Sequence, residues 1–122
     1  MSTNRGEYSP GLHLLATIYS QRTTLLKEAT AWHAFICNII AEEDLTDVGN
    51  NVHNFPNGGF TAVYCLTESH ISIHTWPEYG LCTCDVFLSN FRRDNSDKTT
   101  RIMEKIRLFF EADRIEMQSV KR

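Results

Sequence analysis

The residues best suited to chemistry lie between Thr67 and Trp76, where the sequence reads TESHISIHTW. Side chains alternate across a strand. Ile71 and Ile73 therefore point one way, while His70, Ser72, His74 and Trp76 point the other. That second face, next to the Glu68–Ser69 junction, carries two histidines and a serine. Such groups are the raw material of proton transfer and nucleophilic attack. Polar residues also belong on the wet face of an antiparallel sheet, so periodicity alone leaves the reaction open.

The elements that position this strand follow from pattern. Leu12 to Ser20 (LHLLATIYS) is apolar enough for a buried strand. From Thr23 the period changes: Leu25, Ala29, Trp32, Ile36 and Ile39 recur at spacings of three and four. This predicts one amphipathic helix ending near Ala41, with the acidic, glycine-containing stretch beyond it as a connection. Val52 to Phe55 reads as a short strand, and Pro56, Asn57, Gly58 and Gly59 as a turn. Phe60 to Thr67, His70 to Trp76 and Leu81 to Ser89 read as strands. Asp94 or Ser96 can cap a second helix whose stripe is Ile102, Ile106, Phe109 and Phe110. Asp113 to Lys121 is a final strand. The predicted class is α+β, a two-layer sandwich with two helices packed on one face of a mainly antiparallel sheet. Residues 1–10 are expected to form a flexible leader and residues 11–122 a single domain.

Composition narrows the function. The chain has 122 residues, is 42% hydrophobic and carries a net charge of -3. That balance argues against nucleic acid and favours a small cationic ligand. No secretory leader or membrane-length apolar run is present in the sequence, so a cytoplasmic location without membrane attachment is expected. Cys37, Cys65, Cys82 and Cys84 contain no C-x-x-C pair. They read as free thiols, with no metal expected.

The segment from Glu68 to Gly80 (ESHISIHTWPEYG) resembles the signature of the prokaryotic S-adenosylmethionine decarboxylases almost letter for letter. Gly11 to Tyr19, His53 to Thr61 and Asp85 to Phe87 extend the resemblance, which covers roughly residues 11–120. It implies a self-cleaving proenzyme of polyamine biosynthesis, cut between Glu68 and Ser69, in which Ser69 becomes a pyruvoyl cofactor. By the same resemblance His74 removes the Ser69 Cα proton during processing. Thr61 stands where the family usually has a serine that hydrogen-bonds the forming ester. Phe55 matches an aromatic that stacks on adenine, and Glu78 an acid that binds the ribose hydroxyls. Periodicity alone would make Phe55 a turn-packing aromatic and Glu78 a solvated loop acid.

One position departs from the pattern. Ser89 occupies the place of the family's catalytic cysteine, the acid that reprotonates the substrate carbon, and a hydroxyl is a much weaker acid than a thiol. Cys82 and Cys84 have the opposite strand parity and are expected to be core thiols. The resemblance favours S-adenosylmethionine as substrate, because Phe55 and Glu78 are retained. L-ornithine or L-arginine decarboxylation is the alternative, since all three substrates are α-amino acids able to form the same Schiff base. A non-catalytic regulatory paralogue is a further alternative, opposed by the presence of Ser69 and His74. The family also implies a homodimer of processed protomers.

Overall fold

The computed structural model describes residues 8–91 and 93–122; residues 1–7 of the expected leader lie outside them. Six strands form one sheet: β1 (Leu12–Tyr19), β2 (Asp47–Asn54), β3 (Phe60–Leu66), β4 (Ser69–Trp76), β5 (Leu81–Leu88) and β6 (Arg114–Lys121). Their order is β2-β3-β4-β5-β1-β6, and every pairing is antiparallel. Three helices connect them: α1 (Thr23–Lys27), α2 (Thr30–Glu42) and α3 (Ser96–Phe109).

Alternation divides the sheet into two unlike faces. Ile18, Tyr64, Ile71, Ile73 and Val86 are fully buried against Trp32 and Ile36 of α2 and Ile102 and Ile106 of α3. Removing this apolar surface from water is the main force holding the layers together. The other face keeps Thr61, His70, Ser72, His74 and Asp85 at least partly accessible, and among the described residues α2 and α3 pack on the opposite one. The two-layer α+β arrangement therefore agrees with the pattern read from sequence. Among the described residues, no helix is long and apolar enough to cross a membrane.

Three local expectations are corrected. The predicted helix from Thr23 to Ala41 is broken in two. Glu28 is extended, with φ -148° and ψ 155°. The Lys27 carbonyl accepts a hydrogen bond from the Gly59 N–H at 2.6 Å, and Ala29 N–H donates to Asn54 Oδ1 at 2.9 Å. Contacts from the turn before β3 thus replace the helix's own hydrogen bonds. The strand expected from Val52 starts earlier: β2 begins at Asp47, inside the stretch read as a connection, and is an edge strand exposed along most of its length. At the start of α3, Asn95 is the capping position and makes no side-chain cap; Asp94 Oδ1 instead accepts from Ser96 N–H at 2.9 Å.

Gly11 ties the start of β1 to the end of the chain, exchanging backbone hydrogen bonds with Arg122 at 2.8 and 3.0 Å. A Cβ at Gly11 would stand 2.2 Å from the Leu88 carbonyl oxygen and 3.0 Å from Ser89 Cα. Both are backbone atoms and cannot swing away. Gly11→Ala is expected to cost about 1–3 kcal/mol of stability and to displace the Leu88–Ser89 peptide. Urea unfolding measures the first effect, and an unchanged midpoint would refute it.

Candidate active site

The Glu68–Ser69 junction sits in the turn between β3 and β4. The Glu68 carboxylate accepts from Arg93 Nη2 at 2.7 Å and Nε at 3.2 Å, and from Asn95 Nδ2 at 2.6 Å. The Arg93 hydrogen bonds hold this carboxyl below the usual carboxylate range, burial opposing and Asn95 assisting. The Glu68 carbonyl oxygen accepts the Ser89 N–H at 2.7 Å. A peptide donor thus already polarises the carbonyl that precedes Ser69.

Ser69 has φ 130°, a conformation that L residues other than glycine rarely adopt. Adjacent side chains on a regular strand point to opposite faces. The departure at Ser69 lets its Oγ lie 3.3 Å from Nδ1 of His70, the next residue. A cavity of about 330 Å³ opens beside the junction, lined by Thr67, Glu68, Ser89, Phe91 and Arg93.

The remaining predicted residues gather at the opposite end of β4. Thr61 and His74 are direct cross-strand partners, and Thr61 Oγ1 is hydrogen-bonded to His74 Nδ1. Phe55, His74, Trp76 and Glu78 share a second cavity of about 280 Å³. Gly58 and Gly59, at φ 96° and 100°, allow the tight turn that presents Phe55, and the Phe55 N–H donates to the Gly59 carbonyl at 2.9 Å. A 3₁₀ turn, Pro77–Tyr79, carries Glu78 and is closed by Gly80 at φ 66°.

The predicted residues are therefore brought together as two groups. Glu68, Ser69 and Ser89 form one; Phe55, Thr61, His74 and Glu78 form the other. Five residues of extended strand separate Ser69 from His74, about 17 Å. Within a single chain His74 does not reach Ser69. Cys82 and Cys84 are buried in the core, as their parity predicted, and burial pushes the Cys82 thiol up to about 12 and that of Cys84 well above its ordinary value.

Sequence reasoning missed His13, Asp85, Arg93 and Asn95. Cα pairing places both His13 and His70 opposite Phe87, so β1 and β4 present their histidines over the same β5 residue. Ligand atoms of His13, His70 and Asp85 lie within 4.8 Å of one another. The parity of β1 marks His13 as facing away from Leu14, Ala16 and Ile18, but only the pairing of distant strands reveals its neighbours.

The fold is shared with a solved protein. The crystal structure of the adenosylmethionine decarboxylase from Aquifex aeolicus superposes with a TM-score of 0.84 at 33% identity, over 95% of this chain and 92% of that one. The family model described as S-adenosylmethionine decarboxylase matches residues 12–122. Similar proteins include the S-adenosylmethionine decarboxylase proenzyme of Archaeoglobus fulgidus, 31% identical over 83% of this chain and 84% of that protein. The proenzyme of Picrophilus torridus is 33% identical over 79% and 73%. That of Aquifex aeolicus is 33% identical over 88% and 77%. The chain belongs to the S-adenosylmethionine decarboxylase family.

Proposed function

We propose that the chain is a self-processing decarboxylase acting on S-adenosylmethionine in polyamine biosynthesis, cut between Glu68 and Ser69, with Ser69 as the source of a pyruvoyl group. The observation that carries this reading is the junction itself: a serine at positive φ whose preceding carbonyl already accepts an amide hydrogen bond. Attack by Ser69 Oγ on the Glu68 carbonyl converts the amide into an ester. Loss of the Ser69 Cα proton then expels the Glu68 carboxylate. The dehydroalanine left at position 69 hydrolyses to the pyruvoyl group and ammonia. Once formed, that group supplies the electrophilic carbonyl that acts as an electron sink for decarboxylation.

The family resemblance assigns removal of the Cα proton to His74. The separation along β4 supports a homodimer in which His74, Thr61, Phe55 and Glu78 of a second copy complete the site at Ser69. The uncovered sheet face carries exposed apolar side chains, Val63, Trp76 and Val120 among them, which suits such an interface. Phe55 offers an aromatic face for adenine, and Glu78 offers acceptors for ribose hydroxyls. Two exposed free thiols, Cys37 and Cys65, fit a reducing cytoplasm. The similar proteins named above are all S-adenosylmethionine decarboxylases, which turns the balance away from L-ornithine and L-arginine. Retention of Ser69 and His74 speaks against a regulatory paralogue.

Intact mass under denaturing conditions is expected to give two fragments, the one from position 69 blocked to Edman sequencing, while Ser69→Ala stays whole. Cleavage of Ser69→Ala would sink the reading. His74→Ala alone is expected to process slowly and accumulate a hydroxylamine-sensitive ester. Co-expression with Ser69→Ala restores its cleavage, because one mixed site then holds both an intact Ser69 and an intact His74. Failure of this rescue would refute the shared site.

Ser89 generates the remaining prediction. A hydroxyl there makes proton delivery to the substrate carbon the weak step, so Ser89→Cys is expected to raise turnover of S-adenosylmethionine and the number of turnovers before inactivation. Carbon dioxide release measures both. Equal wild-type and Ser89→Cys rates would mean that another acid supplies the proton.

A further inference from the structure

The first chemical step needs a base for the Ser69 hydroxyl; His74 of the same chain is about 17 Å along the strand, and His74 of a second copy is assigned to the later loss of the Cα proton. We propose that His70 is the general base and acid of the acyl shift at Ser69, with Asp85 and His13 as the residues that position its ring. This inference rests on the self-cleavage reading above and deepens it. The His70 Nδ1 atom is 3.3 Å from Ser69 Oγ, close enough for proton transfer after a small approach. The ring is held on several sides. His13 meets it edge-on with centroids 5.8 Å apart, and the Phe87 ring lies 5.8 Å away. His13 is itself stacked on Phe87 at 4.9 Å, with Nε2 3.7 Å from Asp85 Oδ2.

His13 supplies a second, independent observation. It is 5% exposed, and neither ring nitrogen has a hydrogen-bond partner among the described residues. An unpartnered buried imidazole is costly. Its place beside His70 and Asp85 is explained by the packing it gives the His70 ring, edge-on at 5.8 Å. The charges facing His70 are those of His13 on β1, Asp85 on β5 and Arg122 after β6, and the Cys65 thiol lies opposite it on β3. Burial, then His13, then Arg122 push the imidazole below its ordinary pKa, while Asp85 raises it. His70 is therefore neutral, and competent as a base, at neutral pH.

The step balances without an external reagent. The Ser69 Oγ proton passes to His70 Nδ1, and Oγ bonds to the Glu68 carbonyl carbon. The resulting alkoxide receives the Ser89 N–H already directed at that oxygen. The C–N bond then breaks, its electron pair stays on the Ser69 nitrogen, and that nitrogen takes the proton back from His70. Nothing is oxidised or reduced.

The test follows cleavage of the full chain, made by cell-free translation and exchanged into buffers of different pH. His70→Ala is expected to be cleaved about 100-fold or more slowly than wild type. Hydroxylamine should release no fragment from it, because the ester never forms; this separates it from His74→Ala, blocked one step later. Added imidazole is expected to restore part of the rate. The wild-type rate should fall on the acid side as His70 becomes protonated. Asp85→Asn removes the charge that raises the His70 pKa, so its acid limb should move to lower pH. An unstable His70→Ala chain leaves this shift to decide, and an unmoved limb in Asp85→Asn overturns the proposal. So does His70→Ala cleaved within threefold of wild type, an ester accumulating in it, or loss of wild-type cleavage on adding EDTA, which would make the three side chains metal ligands. A wild-type chain that is never cut at Glu68–Ser69 defeats the self-cleavage reading instead.

Discussion

An extended strand does not bend back on itself within five residues, and the arrangement of the site follows from that stiffness. Because β4 keeps Ser69 and His74 about 17 Å apart, each end gathers its own neighbours. One end has the strained serine, the Glu68 carbonyl and the loop after β5; the other has Thr61, Phe55, Glu78 and a 3₁₀ turn. The proposed function assigns bond rearrangement to the first end and ligand recognition to the second. A two-fold axis across the open sheet face superposes opposite ends of two β4 strands, and does so twice. The strand spacing thus supports the proposed homodimer independently of the family resemblance.

The loop between β5 and α3 governs the other half of the junction. Asn95 is almost fully buried and donates to both the Glu68 carboxylate and the Ser89 carbonyl, the latter at 2.8 Å. Its own N–H is held by Asn90 Oδ1 at 2.7 Å. These bonds fix the Ser89 peptide, whose N–H meets the Glu68 oxygen. Position 89 therefore contributes through its backbone before any question of hydroxyl or thiol arises. The same hydrogen-bonded loop that anchors α3 also aims a donor at the Glu68 carbonyl of the proposed cleavage site.

Much of this was legible in the sequence because local periodicity records which face is buried. The alternation of Ile71 and Ile73 with His70, Ser72 and His74 survives intact in β4. The apolar stripe of Ile102 and Ile106 packs as expected. Elements without a buried face were harder to read. β2 lies at the sheet edge, mostly exposed, so the polar run from Asp47 to Asn51 carries no alternation to detect, and only its end from Val52 was read as strand. The break at Glu28 depends on partners near Asn54 and Gly59, distant in the chain. The motif resemblance singled out Ser69 and His74 but gave no distance between them. His13 looked like one polar residue in an apolar strand until β5 was seen to bring it to His70.

The strand order gives a cut at Glu68–Ser69 an unusual physical outcome. One fragment would hold β1, β2 and β3 with the first two helices, and the other β4, β5, β6 and α3. β1 lies between β5 and β6 and pairs with both along its whole length. The fragments are interleaved, and neither retains a complete sheet to fold on. Before the cut, the connecting turn keeps the halves at an effective concentration on the order of millimolar. Afterwards their reunion is second order in protein. The mature molecule would then persist by the slowness of its unfolding, and dilution after unfolding would be enough to make the loss permanent.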